Sequence, residues 1–217
     1  MSLYQFKSQF QALLRPLVRQ LAARGVTANQ VTVFACAVST SLGLGLHARL
    51  QLDTEGALAG FALIPMWMFL RMALNAIDGM LAREHGQQSQ LGAYLNELTD
   101  VVADAALFLP FVNLHVVDGL SLGILVLLAA LSEMAGLQGL TVGASRRYDG
   151  PMGKSDRALA FGALGLAASL GHALPNWVGM VVPALAALTG WTVVNRIRAG
   201  LNEAREGREA CEVRGQA

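Results

Sequence analysis

Six apolar stretches dominate this chain, near residues 31–50, 57–82, 91–116, 119–143, 156–174 and 177–198. Each is long enough for a helix to cross roughly 30 Å of hydrocarbon with about 20 residues. Backbone amides in lipid must bond within the protein, and these stretches lack the alternation of barrel strands, so they are predicted to be helices. Composition agrees: 54% of the residues are hydrophobic and 14% charged, where a soluble domain carries about 25% charged residues. The expected class is an all-α integral membrane protein. Gly43, Gly45, Gly136, Gly139, Gly162 and Gly165 lie in the stretches, and small residues let membrane helices approach closely.

Ahead of the first stretch, Leu3, Phe6, Phe10, Leu13, Leu14, Leu17 and Leu21 recur at helical spacing, with Lys7, Arg15, Arg19 and Arg24 mostly off that stripe. This reads as an amphipathic helix, residues 1–26, lying on the membrane surface. Its bland alternative is a helix packed on a domain. The same residues lack the continuous apolar core of a cleavable signal. Residues 27–200 then form a six-helix transmembrane domain, and 201–217 a polar tail, frayed or weakly helical.

Basic residues set the expected orientation. Arg83, then Arg146, Arg147, Lys154 and Arg157, then Arg196, Arg198, Arg205, Arg208 and Arg214 fall on the same side as the N-terminal cations, and the opposite loops hold only Arg49. Both termini are therefore expected in the cytoplasm. A net charge of +1 gives no field that would favour nucleic acid. Cys36 and Cys211 lie far apart in character, one apolar and one polar in setting, so neither a disulfide nor a metal motif is expected.

One polar stretch breaks the pattern: NAIDGMLAREHGQQSQLGAYLNELTD, Asn75 to Asp100. Asn75 and Asp78 are three apart near the end of the second helix. Asn96, Asp100 and Asp104 are four apart at the start of the third, so each set shares a helix face. Charges at membrane depth are costly unless paired, hydrated or metal-bound, which makes them functional candidates. Oxygen ligands suit a hard cation such as magnesium, which shares phosphate oxygens with a substrate. Gly79 and Gly92 allow close approach, and Arg83 offers a fork of donors to a phosphate.

These residues resemble the signature of the CDP-alcohol phosphatidyltransferase family, D-x-x-D-G-x-x-A-R, eight residues, G-x-x-x-D-x-x-x-D. Asp78, Gly79, Ala82, Arg83, Gly92 and Asp100 match, and Asn75 and Asn96 stand where the family has aspartate. TANQVT, Thr27 to Thr32, is similar to the family's T-P-N-x-x-T start of the first helix. The resemblance implies a surface helix, six crossings, a homodimer in the bacterial inner membrane and a cytoplasmic site. It also implies transfer of a phosphatidyl group from a CDP-linked lipid such as CDP-diacylglycerol to an alcohol, releasing CMP. Four aspartates hold two divalent ions in such enzymes, and the last is also the base on the acceptor hydroxyl. Carried over, Asp78, Asp100, Asn75 and Asn96 are the metal set and Asp100 the catalytic base. Gly79, Ala82, Arg83, Gly92, Asn29 and Thr32 line the nucleotide and phosphate pocket. The cofactor implied is Mg2+ or Mn2+, as one or two ions.

The asparagines bear on activity. An amide oxygen can ligate a cation but brings no charge and takes no proton usefully. Weaker metal binding is expected, and a catalytically lapsed homologue that binds nucleotide-lipid or serves as a partner subunit is the alternative. A prenyltransferase gives no reason for the Asp78–Gly79 and Ala82–Arg83 spacing, and no paired broken helices suggest a transporter.

Other polar residues have structural and functional readings. Arg71 shares the face of Asn75 and Asp78 and is expected to pair with Asp104 or Glu133, or to touch the donor phosphate. Glu97 points about a quarter turn from Asn96 and is not expected to replace a carboxylate there. Arg146, Arg147, Lys154 and Arg157 either bind a phosphorylated acceptor or express positive-inside bias. Lys154, Arg157 and Arg146 are the acceptor-binding candidates. The acceptor itself stays open among glycerol phosphate, inositol phosphate, serine and a polyol. His47, His85, His115 and His172 lack ligand spacing, and Trp67, Trp177 and Trp191 read as interface anchors or packing residues.

Overall fold

The computed structural model describes residues 3–53, 55–171 and 174–215, with side chains described from residue 9 to 210 of these. His172, and the side chains of Leu3, Phe6, Lys7, Cys211 and Arg214, lie outside the described residues. Among the described residues all regular structure is helical, and Cys36 carries a free thiol. The chain divides into two compact units, residues 1–110 and 111–217.

The first unit holds α1 (Leu3–Ala23), α2 (Ala28–Gln51), α3 (Leu63–Glu84, led by a 3-10 turn over Ala57–Ala62) and α4 (Gln90–Phe108). Local chemistry starts α2 and α4. Thr27 Oγ1 accepts from the Gln30 amide at 3.2 Å while Gln30 Oε1 accepts from the Thr27 amide at 2.9 Å, a reciprocal cap. Ser89 Oγ accepts from the Gly92 amide at 2.9 Å at the head of α4. Helix α2 packs along both α3 and α4. Gly43 permits the second contact: a methyl group there would stand 2.0 Å from the Ala106 carbonyl oxygen of α4. Gly45 faces open space and serves no such approach.

Helix α1 packs on α3. Val18 is fully buried against Ala28, Val31, Ile77, Met80 and Leu81, with Leu14, Leu21 and Ala22 beside it. Arg15 anchors the helix by a double bond of charge to Glu84, Nε to Oε2 and Nη2 to Oε1, both 3.0 Å. The predicted apolar stripe therefore divides. Leu14 and Leu21 face the core, while Leu13 (76% exposed) and Leu17 face outward.

The second unit holds α5 (Gly119–Thr141), α6 (Lys154–Ser169) and α7 (Val181–Gly215, led by a 3-10 turn over Asn176–Met180). Helix α5 runs along α7, and Phe111 meets Phe161 edge-on at 4.9 Å. Gly139 of α5 meets α7 as expected, a methyl group on Gly200 standing 3.9 Å from its Cα, and Gly136 and Gly139 have a second use. They seat the following loop, because added methyl groups would stand 2.6 Å from the Arg147 carbonyl and 2.7 Å from that of Ser145. The tail, expected to be frayed or weakly helical, is helical as far as Gly215. Glu203 holds it: its carboxylate accepts from the Ser145 amide and Oγ at 3.0 Å each and from the Arg147 guanidinium, and Ala204 is buried next to it in sequence.

Among the described residues four segments are long and apolar enough to cross a membrane: 28–51, 57–84, 119–141 and 176–210. The other two predicted crossings differ in kind. Helix α4 carries Glu97, Asp100 and Asp104 within 19 residues, and α6 has only 16 residues.

Candidate active site on helices α2, α3 and α4

The polar stretch folds as the end of α3, a short connection and the start of α4. Gln87, unremarked in the sequence, ties that connection to the start of α2. Its Oε1 accepts from the Ala28 amide at 2.7 Å and its Nε2 donates to the Val26 carbonyl at 3.3 Å. This holds the head of α2 against the turn that carries Arg83 and His85, both exposed.

From α3, Asp78 is buried, and Thr32 Oγ1 of α2 donates to its Oδ2 at 2.8 Å. One turn earlier on the same face, Asn75 Nδ2 donates to Asp100 Oδ1 of α4 at 3.4 Å. Asn75 thus touches Asp100 across the helix pair and neighbours Asp78 along its own helix. The two carboxylates lie around one asparagine. Asn96 lies one turn before Asp100 on α4, and its side-chain amide donates to the carboxylate of its sequence neighbour Glu97 at 3.3 Å.

The motif glycines are seats for side chains. A methyl group at Gly92 would stand 2.8 Å from Asn29 Oδ1, and one at Gly79 would stand 3.0 Å from the Arg83 guanidinium. Asn29 and Arg83 therefore lie directly on helical backbone, and Ala82 is half-buried beside Arg83. The structure brings together Asn29 and Gly92, Thr32 and Asp78, Asn75 and Asp100, Gly79 and Arg83.

Arg71, 6% exposed, is the cation of this region. Its guanidinium bonds to Asp104 Oδ1, donates to Asp100 Oδ1 at 2.8 Å and reaches the Asp100 carbonyl at 3.2 Å. Pairing with Asp104 matches the sequence expectation. The bond to Asp100 was not anticipated, although the seven-residue offset from Asp78 signals a shared face. The carboxylates of Asp78 and Asp100 and the side-chain amide oxygens of Asn75 and Asn96 are oxygen ligands, the chemistry of a hard cation. Among the described residues no three His, Cys, Asp or Glu side chains gather closely enough to hold a metal by themselves.

The second unit carries a separate cluster. Glu133 pairs with Arg157 at 3.1 Å, Arg196 at 3.4 Å and Arg146 at 3.9 Å. Of the two partners expected for Arg71, Asp104 is the one it meets, and Glu133 is surrounded by three arginines of its own unit. Arg157, 1% exposed, also donates to the Met152 carbonyl at 3.1 Å. Arg196, read only as an orientation signal, donates to the Ser132 carbonyl. Lys154 begins α6 and is half-buried. Trp67 bonds Ser39 Oγ at 2.8 Å as a packing residue, while Trp177 and Trp191 are exposed.

A family model described as CDP-alcohol phosphatidyltransferase matches residues 25–193. Inner membrane protein YnbA of Escherichia coli K12 is 44% identical over 201 residues, covering 93% of this chain and 97% of that protein. The phosphatidylinositol phosphate synthase of Mycobacteroides abscessus is 30% identical over 102 residues, 47% of this chain and 42% of its own. Two solved structures of the Mycobacterium tuberculosis phosphatidylinositol phosphate synthase share the fold at 20% identity. The complex with manganese and citrate has a TM-score of 0.69 over 86% of this chain and 88% of that one. The complex with CDP-DAG has 0.68 over 87% and 92%.

Proposed function

The chain belongs to the CDP-alcohol phosphatidyltransferase family, and on that premise we propose that it transfers a phosphatidyl, or related phospho-alcohol, group from a CDP-linked lipid such as CDP-diacylglycerol to an alcohol acceptor. One observation supports the reading: Asn75 of α3 contacts Asp100 of α4 and shares a helix face with Asp78.

In the reaction the acceptor oxygen bonds to the lipid-side phosphorus, the bond from that phosphorus to the bridging oxygen breaks, and CMP leaves with the electron pair. The hydroxyl proton passes to Asp100, a carboxylate in the right place once the alcohol comes within hydrogen-bond reach. Arg71 and Asn75 fix the orientation of Asp100, and Thr32 fixes that of Asp78. Gly79, Ala82, Arg83, Gly92 and Asn29 form the nucleotide and phosphate side. A divalent cation, Mg2+ or Mn2+, held by Asp78, Asp100 and the amide oxygens of Asn75 and Asn96, supplies neutralisation of the pyrophosphate when bound. Arg146 and Lys154 are the acceptor-side cations, with Arg157 fixed by Glu133 as the rigid member of that group.

The setting we infer is a bacterial inner membrane, with residues 27–200 as a six-crossing catalytic domain working as a homodimer. Helix α1 rests on the membrane surface through Leu13 and Leu17, and both termini and the site face the cytoplasm. The four long apolar segments and the inner membrane relative support the membrane part.

The test is CMP release from CDP-diacylglycerol by the purified protein in lipid nanodiscs, against a panel of alcohols and sugar phosphates. Release that needs both a divalent ion and one acceptor is expected. The absence of ion-dependent release with every acceptor sinks the reading. The two uncharged amides motivate a second reading, a lapsed catalyst that retains binding. Release appearing only in the Asn75→Asp, Asn96→Asp double variant favours it.

A further inference from the structure

We propose that Arg71 is a built-in cation of this site, and that the site consequently takes one divalent ion, not two, beside the donor pyrophosphate. The inference rests on the transferase reading and deepens it by counting the cations that share the work.

The charge supply is the first argument. The four motif positions hold two carboxylates, Asp78 and Asp100, and two neutral amides, Asn75 and Asn96. Two negative charges balance a single divalent ion. The second argument is where Arg71 spends its donors. They go to Asp100 Oδ1, to the Asp100 carbonyl and to Asp104 Oδ1, and Asn75 Nδ2 bonds the same Asp100 oxygen. That oxygen already carries two N–H donors. A second ion bound through it would stand within a few ångströms of a guanidinium that is 6% exposed and does not deprotonate. Like charges so close, with little water to screen them, repel strongly. The third argument is Asp104, which balances Arg71 and makes the buried guanidinium affordable in a mostly apolar helix pair. Arg71 acts through Asp100 and is a positioning residue.

Mn2+ is the probe. Wild-type protein in nanodiscs containing CDP-diacylglycerol is titrated with Mn2+, bound ion is counted by equilibrium dialysis, and the bound species is read by electron paramagnetic resonance. One ion per chain, with the spectrum of an isolated Mn2+, is expected. The Asn75→Asp, Asn96→Asp double variant gains a second, weaker ion. Adding Arg71→Gln to it tightens that second ion by about tenfold or more and produces the lines of a spin-coupled pair, whereas adding Arg71→Lys does not. Two ions per wild-type chain, no bound ion, or a second ion indifferent to Arg71 each overturn the proposal. If the triple variant does not fold, the wild-type count and spectrum still decide. CMP release from the same nanodiscs separates the two ideas. Release with two bound ions removes the single-ion proposal and leaves the transferase reading, while one bound ion without release for any acceptor removes the transferase reading.

Discussion

Each compact unit buries one charge cluster, and the two are built with opposite sign. In the first, a single cation, Arg71, lies between two carboxylates, Asp100 and Asp104. In the second, a single carboxylate, Glu133, lies among three cations, Arg146, Arg157 and Arg196. Both obey one rule: a charge withdrawn from water persists only with partners. Neither cluster is neutral. The first keeps an excess of negative charge, increased by nearby Asp78, and the second an excess of positive charge. The leftover sign is what differs, and on the proposed function it suits a metal ion in one place and an anionic acceptor in the other.

The comparison breaks first at its chemistry. Asp100→Asn or Asp78→Asn should lower CMP release by about 10²–10⁴-fold in nanodiscs, with the protein still eluting as a folded species. Retained release would show that the negative cluster is structural only. The positive cluster should respond in stability. Glu133→Gln leaves Arg157 and Arg196 buried without their carboxylate and should cost about 3–5 kcal/mol, read as a fall in thermal midpoint in detergent. Arg146→Gln removes a longer pair at a more exposed side chain and should cost about 0–1 kcal/mol. Equal effects would mean that Glu133 does not organise the cluster.

A finer test separates positioning from packing. Thr32→Val deletes the bond to Asp78 at nearly constant volume and should cost about 1–3 kcal/mol at that carboxylate, seen as weaker Mn2+ binding or slower CMP release. The smallest effect concerns the loop beside the positive cluster. Its Asp149 carboxyl is held below the usual range by its bond to the Arg147 guanidinium. A depressed folded value means stability present above the unfolded value and lost as pH falls through the folded one. The thermal midpoints of wild type and Asp149→Asn should differ near pH 6 and converge below about pH 3.

Much of this site was legible in the chain. Offsets of three and four residues placed Asn75 with Asp78, and Asn96 with Asp100 and Asp104, because helical periodicity is local. The partner of Arg71 was half legible. Asp104 was named, but its bond to Asp100 depends on how far α3 slides along α4, which no spacing encodes. For Glu133 the sequence offered only Arg71 as a partner, and its three arginines come from the loop, α6 and α7. The tail was half legible for the same reason. Its polarity suggests fraying or a weak helix, and the helix is held by Glu203, whose partners Ser145 and Arg147 are more than fifty residues away. Gly136 and Gly139 were singled out as places for close approach; α7 approaches at Gly139 through Gly200, and the loop carbonyls of Arg147 and Ser145, which spacing did not announce, come closer still.

The chain alone determined the helical class, the apolar segments and the faces on which oxygen ligands fall, since these follow from residue type and a 3.6-residue period. Tertiary structure alone decided which charges meet. Ion pairing across helices depends on axial register and on backbone approaches such as Gly43 against Ala106, and those are settled by packing of the whole unit.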